Sequence, residues 1–411
     1  MNTLKKNVFV LAIFTSMLTT AQTSNIGELS ILSNTQVAIV NNLNNSTSAS
    51  LMNDGELFIY GDLNNDGLFS YYEATNKGLT RFEGLTKQKI AGNELSEFYN
   101  VLFNNSSSSP FELSGDISIV NQANFNQGIV NNNDFGGGIF FEDLANHTNT
   151  SNISYVNGEV TKKGNTAFEF PIGDNNNYRS LVISAPATSA DAFTSKYFLT
   201  NSNTVHPHDI AEDDIEFIDD TEYWTITNDQ GASNVMITLS WNANTSPSQI
   251  INAQASSIRI VRWNASRGTW VHEGSVADTN TKTVTTVARV SGYGIFTLAV
   301  VKDNVSTSTD DLKVFNAVTP NGDGENDVFI IENIDLYPEN ELHIYNRWGV
   351  EVYNAKDYGN KGNFFSGESS GRITMQKNEK LPAGTYFYVL SYKNDQSVKT
   401  NKKSGYLYIQ R

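Results

Sequence analysis

The sequence predicts an all-β protein, on three observations. Apolar residues recur at every second position inside short runs, with almost no helical spacing anywhere. The runs are closed by Asn, Asp, Gly and Ser, residues that favour turns. Cysteine is absent from all 411 residues, so no disulfide supports the fold and sheet packing must hold it.

Taken in order, the chain opens with MNTLKKNVFVLAIFTSMLTTAQ. Lys5 and Lys6 precede an apolar run, and Thr19 and Ala21 supply small residues before a cut, so 1–21 reads as a secretory signal peptide with Gln22 the first mature residue. The run is shorter than the roughly 18 to 20 residues needed to cross a bilayer, and no other candidate span follows. Residues 22–193 form an Asn-rich β region with runs at 37–40, 56–63, 89–91, 98–103, 111–120, 138–141 and 167–172. Short strands at loosely regular spacing suit a β-solenoid, in which each coil buries its face on the next, or a sandwich. No strict repeat period is visible, and the reading favours the solenoid.

Residues 194–301 alternate apolar and polar positions in "EYWTITND", "NVMITLSWNAN", "SSIRIVRWNASRGTWVHEG" and "SGYGIFTLAVV". This is the pattern and size of an immunoglobulin-like β-sandwich. Trp224, Trp241, Trp263 and Trp270 read as core or sheet-edge aromatics, with a carbohydrate-stacking platform as the sharper alternative. Residues 302–313 are a polar linker. The final block, 314–411, shows strands at 328–331, 341–346, 349–353, 385–392 and 405–409, the middle pair joined across "NRWG" as a hairpin. "TYFYVLSY" is apolar or aromatic on both faces, as a strand covered on both sides should be. A second sandwich follows.

With 28 basic and 44 acidic residues the net charge is −16. Phosphate backbones and anionic lipids are repelled on average, which argues against nucleic acid as a partner and leaves divalent cations open.

Within the final block, "VTPNGDGENDVFIIENIDLYPENELHIYNRWGVEVYNAKDYG", "LPAGTYFYVLSY" and the terminal "GYLYIQR" together resemble the gliding-motility-associated C-terminal domain, the type B sorting domain of the type IX secretion system of Bacteroidota. Pro320, Asn321, Gly322, Asp323, Gly324, Asn326 and Asp327 match the family's opening motif; Asn346, Arg347, Trp348 and Gly349 match its hairpin. One departure stands out: where the family has W-D-G before its Leu-Pro-x-Gly-Thr-Tyr strand, this chain has Phe365-Ser366-Gly367. The resemblance implies an address, not an activity. After Sec export, the outer-membrane translocon would read the domain and carry the passenger to the cell surface, for attachment or release.

Several constellations bear on metals and catalysis. The opening motif reads first as a double turn, since glycine permits positive φ and Asn and Asp bond their own backbone; calcium at Asp323 and Asp327 is the minority reading. "DLNNDGLFSYYE" fits the twelve-residue calcium-loop pattern through Asp62, Asn64, Asp66 and Glu73, but the preceding "ELFIY" is a strand, not a flanking helix. His206 and His208 lie two apart with no third ligand evident. "AEDDIEFIDD", 211–220, gathers six carboxylates and reads as a solvated charge run rather than a glycosidase pair. No G-x-S-x-G, H-E-x-x-H or phosphate loop occurs. The functional expectation is a non-catalytic secreted or surface protein, an adhesin or matrix component that meets glycans or surface proteins. The alternative is a secreted carbohydrate-active hydrolase with its site on the N-terminal region.

Overall fold

The computed structural model describes residues 22–74, 77–302, 312–323, 326–346, 349–360, 362–370, 379–393 and 400–411. The expected signal peptide, most of the linker, and Gly324, Arg347 and Trp348 of the sorting motif lie outside these residues.

The N-terminal region is a three-sided parallel β-solenoid. Strands Gln22–Asn25, Asn42–Asn45, Leu63–Asn65, Lys89–Ala91, Phe111–Leu113, Val130–Asn131 and Val156–Asn157 stack as one face. Glu28–Ile31, Ser50–Asn53, Leu68–Ser70, Ile139–Phe141 and Val160–Lys163 belong to the second face, and Gln36–Ile39, Glu56–Ile59, Leu79–Gly84 and Asn146–Thr148 to the third. The long strands Ser96–Asn105 and Ile117–Gln127 turn the corner between these two faces, each with a break in register. Alternate residues point inward and stack on the same position of the next coil. Phe82, Phe103 and Phe125 form one such column, with ring centroids 5.9 and 5.3 Å apart. Offset aromatic stacking of this kind adds to the area already buried.

The register explains why no repeat period is visible. Ser50 pairs with Leu68, a step of 68 − 50 = 18, whereas Leu63 pairs with Ile90, a step of 90 − 63 = 27. Coils keep their faces and vary their corners, so stacking is conserved in space while the count of residues is not.

Asparagine does more here than close turns. Asn25, Asn45 and Asn65 stack at one corner, Asn25 Nδ2 donating to Asn45 Oδ1 at 2.9 Å and Asn45 Nδ2 to Asn65 Oδ1 at 2.8 Å. Asn45 Nδ2 also donates to the Leu68 carbonyl at 2.9 Å, and Asn45 and Asn65 are fully buried. An amide carries both donor and acceptor, so an identical side chain can pass the bond from coil to coil. Asn45→Leu is therefore expected to destabilise the protein by about 2 kcal/mol, by stranding the partners above and below; a denaturant titration checks this, and a neutral result would contradict it.

The last coil replaces an apolar residue with a cation. Phe98, Ile119, Phe141 and Lys162 occupy successive inward positions of one column. The buried Lys162 ammonium donates to the main-chain carbonyls of Glu142, Asp143 and Ala145, and burial lowers its pKa to about 8. The cation thus ends the apolar column at the coil on which the antiparallel strand Ala192–Phe198 docks.

Hydrogen bonding crosses the boundary drawn at residue 193. Val160–Lys163 pairs antiparallel with Ala192–Phe198, which continues through Tyr223–Gln230 and Gly294–Val301 to Ile258–Asn264. A second sheet runs Phe168–Phe170, Leu181–Ile183, Ile237–Ser240, Thr283–Thr286, Ser275–Asp278. Its first two strands come from the stretch assigned by sequence to the N-terminal region. Trp224, Trp241 and Trp270 are buried as core aromatics, and among the described tryptophans only Trp263 keeps part of its surface in solvent.

At the C-terminal end, a five-stranded sheet has the order Ala317–Val318, Thr400–Ile409, Gly384–Lys393, Asn340–Tyr345, Glu351–Lys356, with only the first pair parallel. The strand expected at 328–331 appears only as the short Ile331–Glu332, paired with Lys313–Val314.

Candidate functional site

The C-terminal sheet brings the sequence motifs together around one aromatic core. Strand Gly384–Lys393 has both faces buried, as its composition predicted: Tyr386, Tyr388, Leu390 and Tyr392 enter the core, while Phe387 and Val389 alternate with them and are also covered. Tyr388 stands opposite Gly405 on the neighbouring strand. A Cβ at 405 would come within 2.7 Å of the Tyr388 ring, so the glycine of "GYLYIQR" is required by the aromatic that lies across it.

The opening loop is built from its own side chains. Asp327 Oδ1 accepts from the Gly322 N–H at 2.7 Å, Asn321 Oδ1 accepts from the Asp323 N–H at 3.1 Å, and Asn321 Nδ2 donates to Asp323 Oδ2 at 2.7 Å. Gly322 and Asn326 both take positive φ. Pro320 precedes these turn residues, and the Thr319 N–H donates to the Asn326 carbonyl. At the hairpin, the Gly349 N–H donates to the Asn346 carbonyl and the Val350 N–H to Asn346 Oδ1, with Gly349 at φ 69°.

Three residues that sequence reading missed tie the motifs to one another. Asn340 is buried and clamps the chain across 18 residues: its Nδ2 donates to the Tyr337 and Tyr358 carbonyls, and its Oδ1 accepts from the Tyr358 N–H at 2.8 Å. The Tyr358 hydroxyl donates to the Phe329 carbonyl and accepts from the Phe365 N–H. Arg411 donates to the Leu381 carbonyl at 2.8 Å and the Gly367 carbonyl at 2.7 Å. Phe365 is fully buried against Tyr353, and Gly367 holds φ 73°, so the departing F-S-G keeps the aromatic and the turn in place. Nothing in their local sequence sets them apart: Asn340 and Tyr358 stand in polar stretches, "PENE" and "AKDYGN", and Arg411 is the last residue.

The small sheet with this core is opened by an Asn-Gly-Asp turn and closed by the strand Thr400–Ile409. Residues 312–409 match the CHU_C type IX secretion signal domain. The chain thus carries a C-terminal sorting domain of the Bacteroidota kind, and with it the address for export through type IX secretion to the cell surface or beyond. No curated protein and no solved structure matches the chain. Among the described residues no helix is long and apolar enough to cross a membrane.

The other candidate constellations are dispersed or spoken for. Asp62, Asn64 and Asp66 fall on the solenoid strand Leu63–Asn65 and its ends, without flanking helices. Asp62 Oδ1 accepts from the Lys89 N–H at 2.8 Å in the next coil; Asn64 Nδ2 donates to Asn44 Oδ1 and Asp66 Oδ2, and Asp66 Oδ1 accepts from Asn93. These bonds hold the Asp66 carboxyl below its usual pKa, Asn64 contributing most. Glu73 is exposed beyond the strand Leu68–Ser70. His206 lies flat on Trp263 with centroids 4.2 Å apart, covering one face of that indole, and His208 Nε2 meets Ser202 Oγ at 2.8 Å. Among the described residues a single trio of metal-type donors converges, Glu212, Asp214 and His272, with ligand atoms within 4.8 Å of one another. Its members are already engaged: His272 Nε2 lies 3.1 Å from Asp214, and Glu212 takes Arg267 and the His272 N–H.

The acidic run 211–220 is not uniformly solvated. Asp219 is fully buried; its Oδ1 accepts from the Thr221 N–H, the Thr221 hydroxyl and the Glu222 N–H, while its Oδ2 has no partner. Burial, helped by the nearby Glu222 charge, raises its pKa to about 7. A carboxyl held above its unfolded value of 3.8 binds its proton more tightly when folded, so its contribution to stability falls as pH rises from about 4 to about 7 and stays low above that. Relative to Asp219→Asn, the wild type is expected to lose up to about 4 kcal/mol across that window. Unfolding both proteins at pH 4.5 and 8 checks this; parallel profiles would refute it.

Proposed function

We propose that the exported passenger is a non-catalytic adhesin or surface-matrix component whose solenoid faces bind extracellular glycans or surface proteins. Export would begin with removal of residues 1–21, leaving Gln22 first. The observation behind the binding role is the outer surface of the solenoid, where side-chain amides pair from coil to coil. Asn64 donates to Asn44, Asn121 to Asn100, Asn126 to Asn104 and Asn149 to Asn124, at 2.7 to 2.9 Å. Each pair joins two neighbouring coils across the strand spacing of about 4.8 Å and is preorganised by the fold. Several such fixed amide pairs on one outer surface suit a polymer that offers many hydroxyls, since each contact adds a weak bond without new ordering cost.

A polysaccharide panel with the mature protein tests the reading. Saturable binding without release of reducing sugar is the expected result. Release of reducing sugar would favour a carbohydrate-active hydrolase, and absence of binding to glycans and to cell-surface protein extracts would sink the adhesive role.

A further inference from the structure

The two ends of the solenoid differ. At the C-terminal end Val160–Lys163 pairs with Ala192–Phe198, Val156 bridges to Ile172, and His147 Nε2 meets the Glu169 carbonyl. At the N-terminal end, Gln22–Asn25, Glu28–Ile31 and Gln36–Ile39 each pair with the second coil alone, among the described residues.

The unpaired groups can be named. The carbonyls of Asn25, Gly27, Ile31, Thr35 and Ile39 accept from Ser46, Ser50, Asp54, Glu56 and Tyr60 of the second coil. Backbone groups of successive strand residues point to opposite edges, so those of Ser24, Glu28, Ser30, Gln36 and Ala38 point outward along the solenoid axis. Parallel strands with free edges are templates for pairing, and proteins usually blunt them with charge or proline. This edge is only lightly guarded: residues 22–41 contain a single ionisable side chain, Glu28, and no proline, in a chain of net charge −16. Its corners carry exposed aliphatics instead, Ile26 at 85%, Val40 at 73% and Leu32 at 64% of full exposure.

We infer that the first coil is an interface at which two copies of this chain pair end to end. The choice of occupant follows from shape. A single foreign strand could satisfy one of the three edges, whereas a triangular solenoid end satisfies all three at once. The chain's own C-terminal solenoid end is already taken, so the matching surface is the first coil of a second copy. A two-fold axis across the solenoid axis makes every contact antiparallel; one face pairs with itself and the other two pair with each other. Such an isologous contact closes at two copies. The near-neutral edge lets the copies approach at the point where their overall repulsion is least.

The proposal rests on the export reading for its free end at Gln22. Sedimentation velocity on the full exported protein, with intact mass read on the same sample, tests it. The expected result is a chain beginning at Gln22 that forms a dimer, in a fraction that rises with concentration. Ser30→Pro with Ala38→Pro removes two outward N–H groups and should give a folded monomer whose melting temperature no longer depends on concentration. If that variant unfolds, hydrogen exchange on the unaltered chain decides, since the amides of Ser24, Glu28, Ser30, Gln36 and Ala38 should slow as concentration rises. A Gln22 chain that stays monomeric, a dimer undiminished in the folded proline variant, edge amides indifferent to concentration, or assembly beyond two copies would each overturn the inference. A mass that still includes residues 1–21 refutes the export reading instead, and with it the free end required here.

Discussion

A chain ending at Lys302 should accumulate in the periplasm and be depleted from the cell surface and medium. The domain removed by this cut is the one that matches the type IX secretion signal, and its motifs are held in one folded core rather than in a linear tag. Point changes should therefore divide by location. Tyr388 is buried in that core, so Tyr388→Ala should cost about 3 to 5 kcal/mol and abolish export by unfolding the domain. Arg347 and Trp348 fall between Asn346 and Gly349 in the sequence and belong to the hairpin motif of the sorting-domain resemblance; replacing both with alanine should impair export while leaving the unfolding transition where it was. Fractionation of a host with a working type IX translocon supplies the measurement. Surface delivery of the truncated chain at wild-type level would refute the role of the domain.

Glu222→Gln is expected to destabilise the central block by about 3 to 5 kcal/mol. Glu222 and Arg179 are both buried and meet in two parallel bonds, Nε to Oε2 and Nη2 to Oε1, each 2.9 Å. The Tyr197 and Ser246 hydroxyls complete the carboxylate, and the remaining guanidinium donors reach the Ser240 hydroxyl and carbonyl. Removing one charge leaves the other desolvated and uncompensated, which costs more than the pair contributes. Replacing both, Arg179→Met with Glu222→Leu, should recover most of the loss. Denaturant unfolding of the three variants measures the coupling; a Glu222→Gln cost below about 1 kcal/mol would show that water reaches the pair.

The all-β class and the sorting domain were legible because both depend on local signals. Alternation of apolar residues reads from a few positions, and the Asn-Gly-Asp turn, the NRWG hairpin and the closing glycine strand keep their order along the chain. The solenoid was only partly legible, since corners that vary from 18 to 27 residues per coil erase the period while the columns inside persist. Asn25, Asn45 and Asn65 looked like turn residues because composition does not report which way an amide faces. The sheet formed by Phe168–Phe170 and Leu181–Ile183 was not legible, as Leu181–Ile183 finds its next partner, Ile237–Ser240, far along the chain. Burial of Asp219 inside an acidic run is likewise a tertiary fact. So is the seating of His206 on Trp263, a pairing that the spacing of the two histidines cannot encode.

The unbroken bonding from the first coil into the central sheets has a mechanical meaning. A pull along the solenoid axis loads the bonds between coils as a zipper is loaded, a few at a time, because they lie parallel to the force. Each coil contacts only its neighbours, so it can yield without the rest. Under tension the passenger would pay out chain in small steps, at low and nearly constant force, instead of failing at once.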